Sequence, residues 1–140
     1  MTAPRRRARV LVVDDDPAIR ELLEATFGHD EAEVRTAEDI EAALGALEAT
    51  PPDVVLLDLD LPGALQGRDL LARLRGRPGA PPCIVVSGSP DATEEELRAA
   101  GARALFRKPF RPLALLDAVE AALRAGPPDR PADRPRGGRS

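Results

Sequence analysis

The sequence predicts an α/β fold of (βα)5 type, a doubly wound, five-stranded parallel sheet with helices on both faces. Three observations carry this expectation. Short aliphatic runs alternate with segments of helical apolar spacing along most of the chain. The runs at residues 10–13 and 54–57 are continuously apolar, as suits central parallel strands covered on both faces. Finally, four runs lead into chemically capable residues: Asp14, Asp15 and Asp16 after 10–13, Asp58 after 54–57, Ser87 after 84–86, and Lys108 shortly after 104–106. Open α/β sheets bind ligands at the carboxyl ends of their strands, so these residues are expected to share one crevice.

The elements follow in order. The first strand is expected at 8–13. Asp16-Pro17 reads as an N-cap followed by proline at the first helical position, where a missing N–H costs nothing. Ile19, Leu22, Leu23 and Phe27 then recur at helical spacing up to Gly28. Residues 33–36, with a single Val, fit an edge strand. The second helix, 39–49, places Ile40, Ala43, Leu44 and Leu47 on one face and is stopped by Pro51-Pro52. The third strand is expected at 53–57. The third helix starts at Leu65 or Gly67 and runs to Arg75, with Leu70, Leu71 and Leu74 inward. A Gly/Pro-rich turn leads to a strand at 83–86. The fourth helix, 92–100, is polar: Glu94, Glu95 and Glu96 leave Leu97 as its one large apolar anchor, so it is expected to be weakly held. A strand at 103–106 and a helix at 112–124, with Leu113, Leu116, Val119 and Leu123 inward, complete the pattern.

A chain of 140 residues has room for one domain. The expected division is a flexible basic stretch at 1–7, the domain at 8–125, and a tail at 126–140. The tail has no large apolar residue to offset its ordering entropy and is expected to be disordered. Three Phe and no Trp or Tyr make the core aliphatic and leave no stacking surface for single-stranded nucleic acid. The net charge of −4 conceals +4 in the first nine residues and +2 from Gly126 onward, so the body between carries −10. Such a body repels nucleic-acid phosphates and attracts cations or basic protein surfaces; no direct nucleic-acid binding is expected. Cys83 is alone and opens an apolar run, which reads as a buried side chain rather than a reactive thiol. No run approaches the roughly 20 apolar residues of a membrane span. Nor does an apolar segment follow the N-terminal arginines as in a signal peptide. A cytoplasmic chain without membrane association is the expectation.

Asp14, Asp15 and Asp58 are the core of the expected site. Clustered carboxylates raise one another's pKa unless a cation joins them. Mg²⁺ suits such a set, taking hard oxygen ligands from one or two carboxylates, a backbone carbonyl and water. Asp16, with Pro17 behind it, reads as a helix cap instead. Asp58 is fixed at the end of a rigid run, where a carboxylate can attack phosphorus and form an acyl phosphate. Ser87 can hydrogen-bond a phosphoryl oxygen, Gly88 leaves room beside it, and Lys108 supplies a point charge. Singly, such a serine is a turn residue and such a lysine a solvated cation; their joint placement points to phosphoryl chemistry. No G-x-G-x-x-G follows the first strand, and there is no Walker A sequence.

The segments VLVVDDDP (10–17), VVLLDLDLP (54–62), IVVSG (84–88) and KPF (108–110), in this order and spacing, resemble a response-regulator receiver domain. This is the chemotaxis-regulator type of bacterial two-component systems, and the likeness spans about residues 8–124. The resemblance implies a flavodoxin-like sheet of order 2-1-3-4-5. It implies that Asp58 is the phosphoacceptor, taking its phosphoryl group from a sensor histidine kinase or a histidine phosphotransfer protein. Mg²⁺ would be ligated by Asp15 and Asp58, by Asp14 at least partly through water, and by the Asp60 backbone carbonyl. Ser87 would be the switch hydroxyl and Lys108 the salt-bridging cation, with a cis bond to Pro109. Charge neutralisation, not a proton relay, would assist bond cleavage. Such a domain catalyses only its own phosphorylation and dephosphorylation. Its output would run through a downstream protein bound on the helix 4–strand 5–helix 5 face, or through phosphorelay, as a monomer or a weak phosphorylation-dependent dimer.

Three departures from that pattern stand out. Leu105 occupies the switch position where Tyr or Phe is usual, while Phe106 should face the other side of the strand. Gly67 comes one residue late, after Gln66 rather than an acidic residue. No DNA-binding or enzymatic segment follows the fifth helix, so a stand-alone receiver is expected. His29, in the turn Gly28-His-Asp-Glu31, is the only histidine and is not expected to carry phosphate. Two rival readings exist. Asp58-Leu-Asp60 also resembles the haloacid-dehalogenase D-x-D pair, but that pair normally sits on a first strand. A phosphorylation-independent pseudo-receiver would have lost the acceptor or acidic pocket, which this sequence keeps.

Overall fold

The computed structural model describes residues 8–27, 32–61, 63, 65–90 and 92–125. The expectations for the basic residues 1–7, for His29 and for the 126–140 tail lie outside the described residues. Five strands, β1 (Ala8–Val13), β2 (Ala32–Ala37), β3 (Val54–Asp58), β4 (Cys83–Ser87) and β5 (Ala104–Arg107), form one parallel sheet in the order β2-β1-β3-β4-β5. Helices α1 (Pro17–Phe27), α2 (Ile40–Ala49), α3 (Gly67–Arg75), α4 (Glu94–Ala99) and α5 (Pro112–Ala125) connect and cover them. This is the expected (βα)5 architecture and strand order.

Strand alternation divides the apolar side chains between two cores. Leu11, Val13, Val55, Leu57, Cys83 and Val85 point to one face and pack with Ile40 and Leu47 of α2, Leu70, Leu71 and Leu74 of α3, and Leu97 of α4. Val10, Val12, Val54, Leu56, Ile84 and Val86 point to the other, against Leu23 and Phe27 of α1 and Leu115, Val119 and Ala122 of α5. Every residue of β3 and β4 is buried, which accounts for the unbroken apolar runs in sequence. Burial pushes the Cys83 thiol up to about 12, so it is a packing residue and not a thiolate. Among the described residues, no helix is long and apolar enough to cross a membrane.

The differences from expectation are local. β3 and β4 each run one residue further, because the ladder continues through Asp58, paired with Val86, and Ser87, paired with Arg107. α4 starts two residues late, since Thr93 caps it by accepting the Glu96 N–H at 3.1 Å. On α5 the inward face is Leu115, Val119 and Ala122, while Leu113 is 70% exposed. That helix carries apolar residues on two overlapping stripes, and only docking against the sheet chooses between them. Leu22 of α1, expected inward, is likewise 40% exposed, with Leu23 and Phe27 taking the buried stripe.

The loop after β3 explains the late glycine. It turns through Gly63 at φ 106°, in the left-handed region, and the Gln66 Nε2 donates to the Gly63 carbonyl at 3.0 Å. A carboxylate at position 66 has no proton to give that carbonyl; the amide does. Asp69 then accepts the Gln66 N–H at 2.7 Å and starts α3. Gly67 lies so close to the end of β3 that a Cβ there would stand 2.9 Å from the Leu59 Cα and 3.1 Å from the Asp58 carbonyl oxygen. Gly67→Ala is therefore expected to destabilise the fold by about 1–3 kcal/mol in urea unfolding, despite alanine's better helix propensity. A variant as stable as the parent would show that the loop yields without cost.

Candidate functional site

Register places the site residues side by side. Val13 pairs with Leu57, so Asp14 and Asp58 follow at the same level on adjacent strands. Asp58 pairs with Val86, which puts Ser87 one step beyond it, and Ser87 pairs with Arg107, which precedes Lys108. The Asp14 N–H donates to the Ala37 carbonyl at 3.0 Å, and the Lys108 N–H to the Ser87 carbonyl at 3.0 Å, so the ladder geometry carries into the loops. Asp14, Asp58 and Ser87 are buried, whereas Asp15 is exposed.

Lys108 ties the cluster together. Its Nζ donates to Asp14 Oδ2 and to Asp58 Oδ2, each at 3.1 Å. The other oxygens are also engaged: Asp14 Oδ1 accepts the Asp16 N–H and Asp58 Oδ1 the Asp60 N–H, both at 2.9 Å. Burial alone would lower the Lys108 pKa, but the hydrogen bonds and charges of Asp58 and Asp14 outweigh it and hold the ammonium above the usual lysine range. Asp14 moves the other way in charge preference. Burial lifts its carboxyl above the usual aspartate range, and the Asp16 N–H and Lys108 counter this only in part, while the Asp58 charge adds to it. One ammonium does not fully compensate the buried carboxylate.

One carboxylate oxygen from each of Asp14, Asp15 and Asp58 lies within 4.8 Å of the others. Three hard, anionic oxygens converging from two sides, one of them exposed, are a donor set that fits a divalent cation. The uncompensated charge on Asp14 is what such a cation would relieve. Asp16 behaves as the expected cap, accepting the Ala18 N–H at 3.0 Å. The Lys108–Pro109 bond is cis, as the resemblance implied. Leu105 packs against the α2–α3–α4 core and Phe106 against the α1–α5 core, so the two do face opposite sides. Gly88 is less constrained than expected: a Cβ there would only touch the Lys108 Cβ at 3.9 Å.

Two contacts escaped sequence reasoning. In the receiver reading Asp60 entered only through its backbone carbonyl, yet its carboxylate Oδ2 accepts the Ser87 hydroxyl at 3.4 Å. Arg107, not singled out at all, donates to the Ser89 and Ala92 carbonyls of the β4–α4 loop. The signal for it was alternation: residues 105 and 107 must share a strand face.

The raised Asp14 carboxyl gives a pH signature. Its folded-state pKa exceeds the unfolded value of 3.8, so its contribution to stability is present below that value and lost as pH rises through the folded pKa. At neutral pH, without divalent cations, Asp14→Asn is therefore expected to be more stable than the parent in urea unfolding. The gap should close as pH falls towards 4. An Asn variant that is less stable at neutral pH would mean that the Lys108 ion pair outweighs burial.

The family model described as response regulator receiver domain matches residues 10–120. The chain is 37% identical over 128 residues to the DNA-binding response regulator MtrA of Mycolicibacterium smegmatis, covering 91% of this chain and 55% of that protein. It thus spans about half the length of that relative. Among solved structures, the receiver domain of NtrX from Brucella abortus superposes with a TM-score of 0.76 at 33% identity, covering 84% of this chain and 99% of that one. A CheY-like response regulator receiver domain protein from Methanospirillum hungatei gives 0.75 at 31% identity, over 86% and 96% of the two chains. With its fold, its strand order and a family match across nearly all the described residues, the chain belongs to the response regulator receiver domain family.

Proposed function

We propose that this chain is a phospho-accepting receiver in which Asp58 takes a phosphoryl group from the phosphohistidine of a sensor histidine kinase or a histidine phosphotransfer protein. The observation that carries the reading is the placement of the Asp58 carboxylate, 3.1 Å from the Lys108 ammonium and within 4.8 Å of ligand oxygens of Asp14 and Asp15. A carboxylate oxygen of Asp58 forms the new P–O bond as the P–N bond breaks to a phosphohistidine ring protonated on its other nitrogen, so the departing electron pair leaves a neutral imidazole beside an aspartyl phosphate. Asp14, Asp15 and Asp58, with the Asp60 carbonyl, would hold Mg²⁺, whose chemistry is to neutralise charge on the transferring group. Phosphorylation removes the charge of the Asp58 carboxylate, so Lys108 shifts its hydrogen bonds to the phosphoryl oxygens. The Ser87 hydroxyl, now shared with Asp60, is the donor available to a further phosphoryl oxygen.

The chain transforms no external substrate in this reading; it promotes only its own phosphorylation and dephosphorylation. MtrA is named as DNA-binding, but it is nearly twice as long as the matched segment. For residues 8–125, whose charge is strongly negative, we propose output by protein contact through the α4–β5–α5 face or by phosphorelay, without nucleic-acid contact. A cytoplasmic setting follows from the kinase partner.

Incubation with Mg²⁺ and a small acyl phosphate, read by intact mass, is expected to add one phosphoryl group. Asp58→Asn should abolish the addition and a chelator should prevent it. A parent protein that stays unmodified where another receiver is labelled would refute the phosphoacceptor role. In thermal melts, Mg²⁺ is expected to raise the unfolding midpoint in a concentration-dependent way, and Asp15→Asn to remove most of that rise. An unchanged Mg²⁺ response in Asp15→Asn would take Asp15 out of the ligand set.

A further inference from the structure

One side chain of β5, Arg107, grips two carbonyls of the β4–α4 loop. Arg107 Nη1 donates to the Ser89 carbonyl at 2.7 Å, and Nη2 donates to the Ala92 carbonyl. The same loop reaches back into the site: the Ser89 N–H donates to Ser87 Oγ at 3.0 Å, and Ser87 Oγ donates to Asp60 Oδ2 at 3.4 Å. A continuous run of hydrogen bonds thus leads from Arg107 through Ser89 and Ser87 to Asp60. At the far end of the loop Ala92 is buried in the α2–α3–α4 core. α4, which follows it, has six residues and one fully buried large side chain, Leu97. Its other ties are polar, from the α3 arginines: Arg68 to Glu96 at 3.0 Å, and Arg75 to the Ala99 carbonyl. Leu105, two residues before Arg107 on the same strand face, has no polar atom with which to engage the loop. A planar guanidinium holds two carbonyls at once, which an ammonium at that distance would do poorly.

We propose that Arg107 is a positioning residue for Ser87. By pinning the Ser89 and Ala92 carbonyls it holds the Ser89 N–H on Ser87 Oγ and keeps the hydroxyl committed to Asp60. Releasing Arg107 frees the loop and raises the fraction of molecules whose Ser87 hydroxyl can turn to a phosphoryl group on Asp58. This consequence for phosphorylation rests on the function proposed above, whereas the hold on the loop does not.

The test has two arms on the full chain. In amide hydrogen exchange without phosphodonor, Arg107→Gln is expected to speed exchange at the Ser89 amide by about fivefold or more, with core amides of β1 and β3 unchanged. Arg107→Lys should fall between. With Mg²⁺ and a small acyl phosphate, Arg107→Gln should speed Asp58 labelling by a similar factor, and the gain should vanish in a Ser87→Ala background. Unchanged Ser89 exchange, or faster exchange across the whole sheet, would overturn the positioning role. So would a labelling gain that survives Ser87→Ala. A parent that takes no phosphoryl group would refute the phosphoacceptor reading, while the exchange arm would still decide the role of Arg107.

Discussion

The rest of the site depends on one ammonium shared between two buried carboxylates. Parallel register sets Asp14 and Asp58 side by side at the top of β1 and β3, where each is nearly inaccessible to water. Two such charges repel, and burial raises the cost of both. Lys108 arrives from beyond β5 and reaches across the level of β4 to donate to each at 3.1 Å. The compensation is incomplete, because the Asp14 carboxyl still lies above its usual range. With Asp15 alongside, three negative groups face one positive one. This excess of negative charge suits a further cation at the Asp14, Asp15 and Asp58 oxygens.

The two faces of the sheet are built differently, and the difference bears on signalling. α1 and α5 cover one face with Phe, Leu and Val in a continuous apolar layer. On the other face α2 and α3 do the same, but α4 does not: it contributes Leu97 and is otherwise tied by arginines from α3 and by the loop contacts of Arg107. Hydrogen bonds and ion pairs at a surface are individually weak and can be exchanged for others, unlike a packed core. The element next to Ser87 is therefore the one whose displacement costs least. With leucine rather than an aromatic residue at position 105, Arg107 provides a direct polar link between β5 and the loop that carries on from Ser87.

Much of this was legible in the chain. The apolar runs of β1, β3 and β4 identified the central strands, and the residues after them gave the candidate site: Lys108 joins Asp14 and Asp58, and Ser87 lies one register step beyond Asp58. Less was legible where a pattern allowed two answers. The apolar spacing of α5 points to Leu113 as an inward residue, but the docked helix buries Leu115 and leaves Leu113 exposed. Gln66 departs from the acidic residue usual before that glycine, and the reason lies in the folded loop, where its amide closes on the Gly63 carbonyl.

Sequence by itself determined which chemistry could occur, because strand periodicity fixes where a run ends and a residue's identity fixes what it can donate, accept or attack with. Tertiary structure decided how that chemistry is held. The sharing of Lys108 between two carboxylates, the turn of the Asp60 carboxylate towards Ser87, and the reach of Arg107 to the loop all join residues from different strands. Those contacts depend on register, side-chain direction and loop path, and none of these is a property of one segment alone.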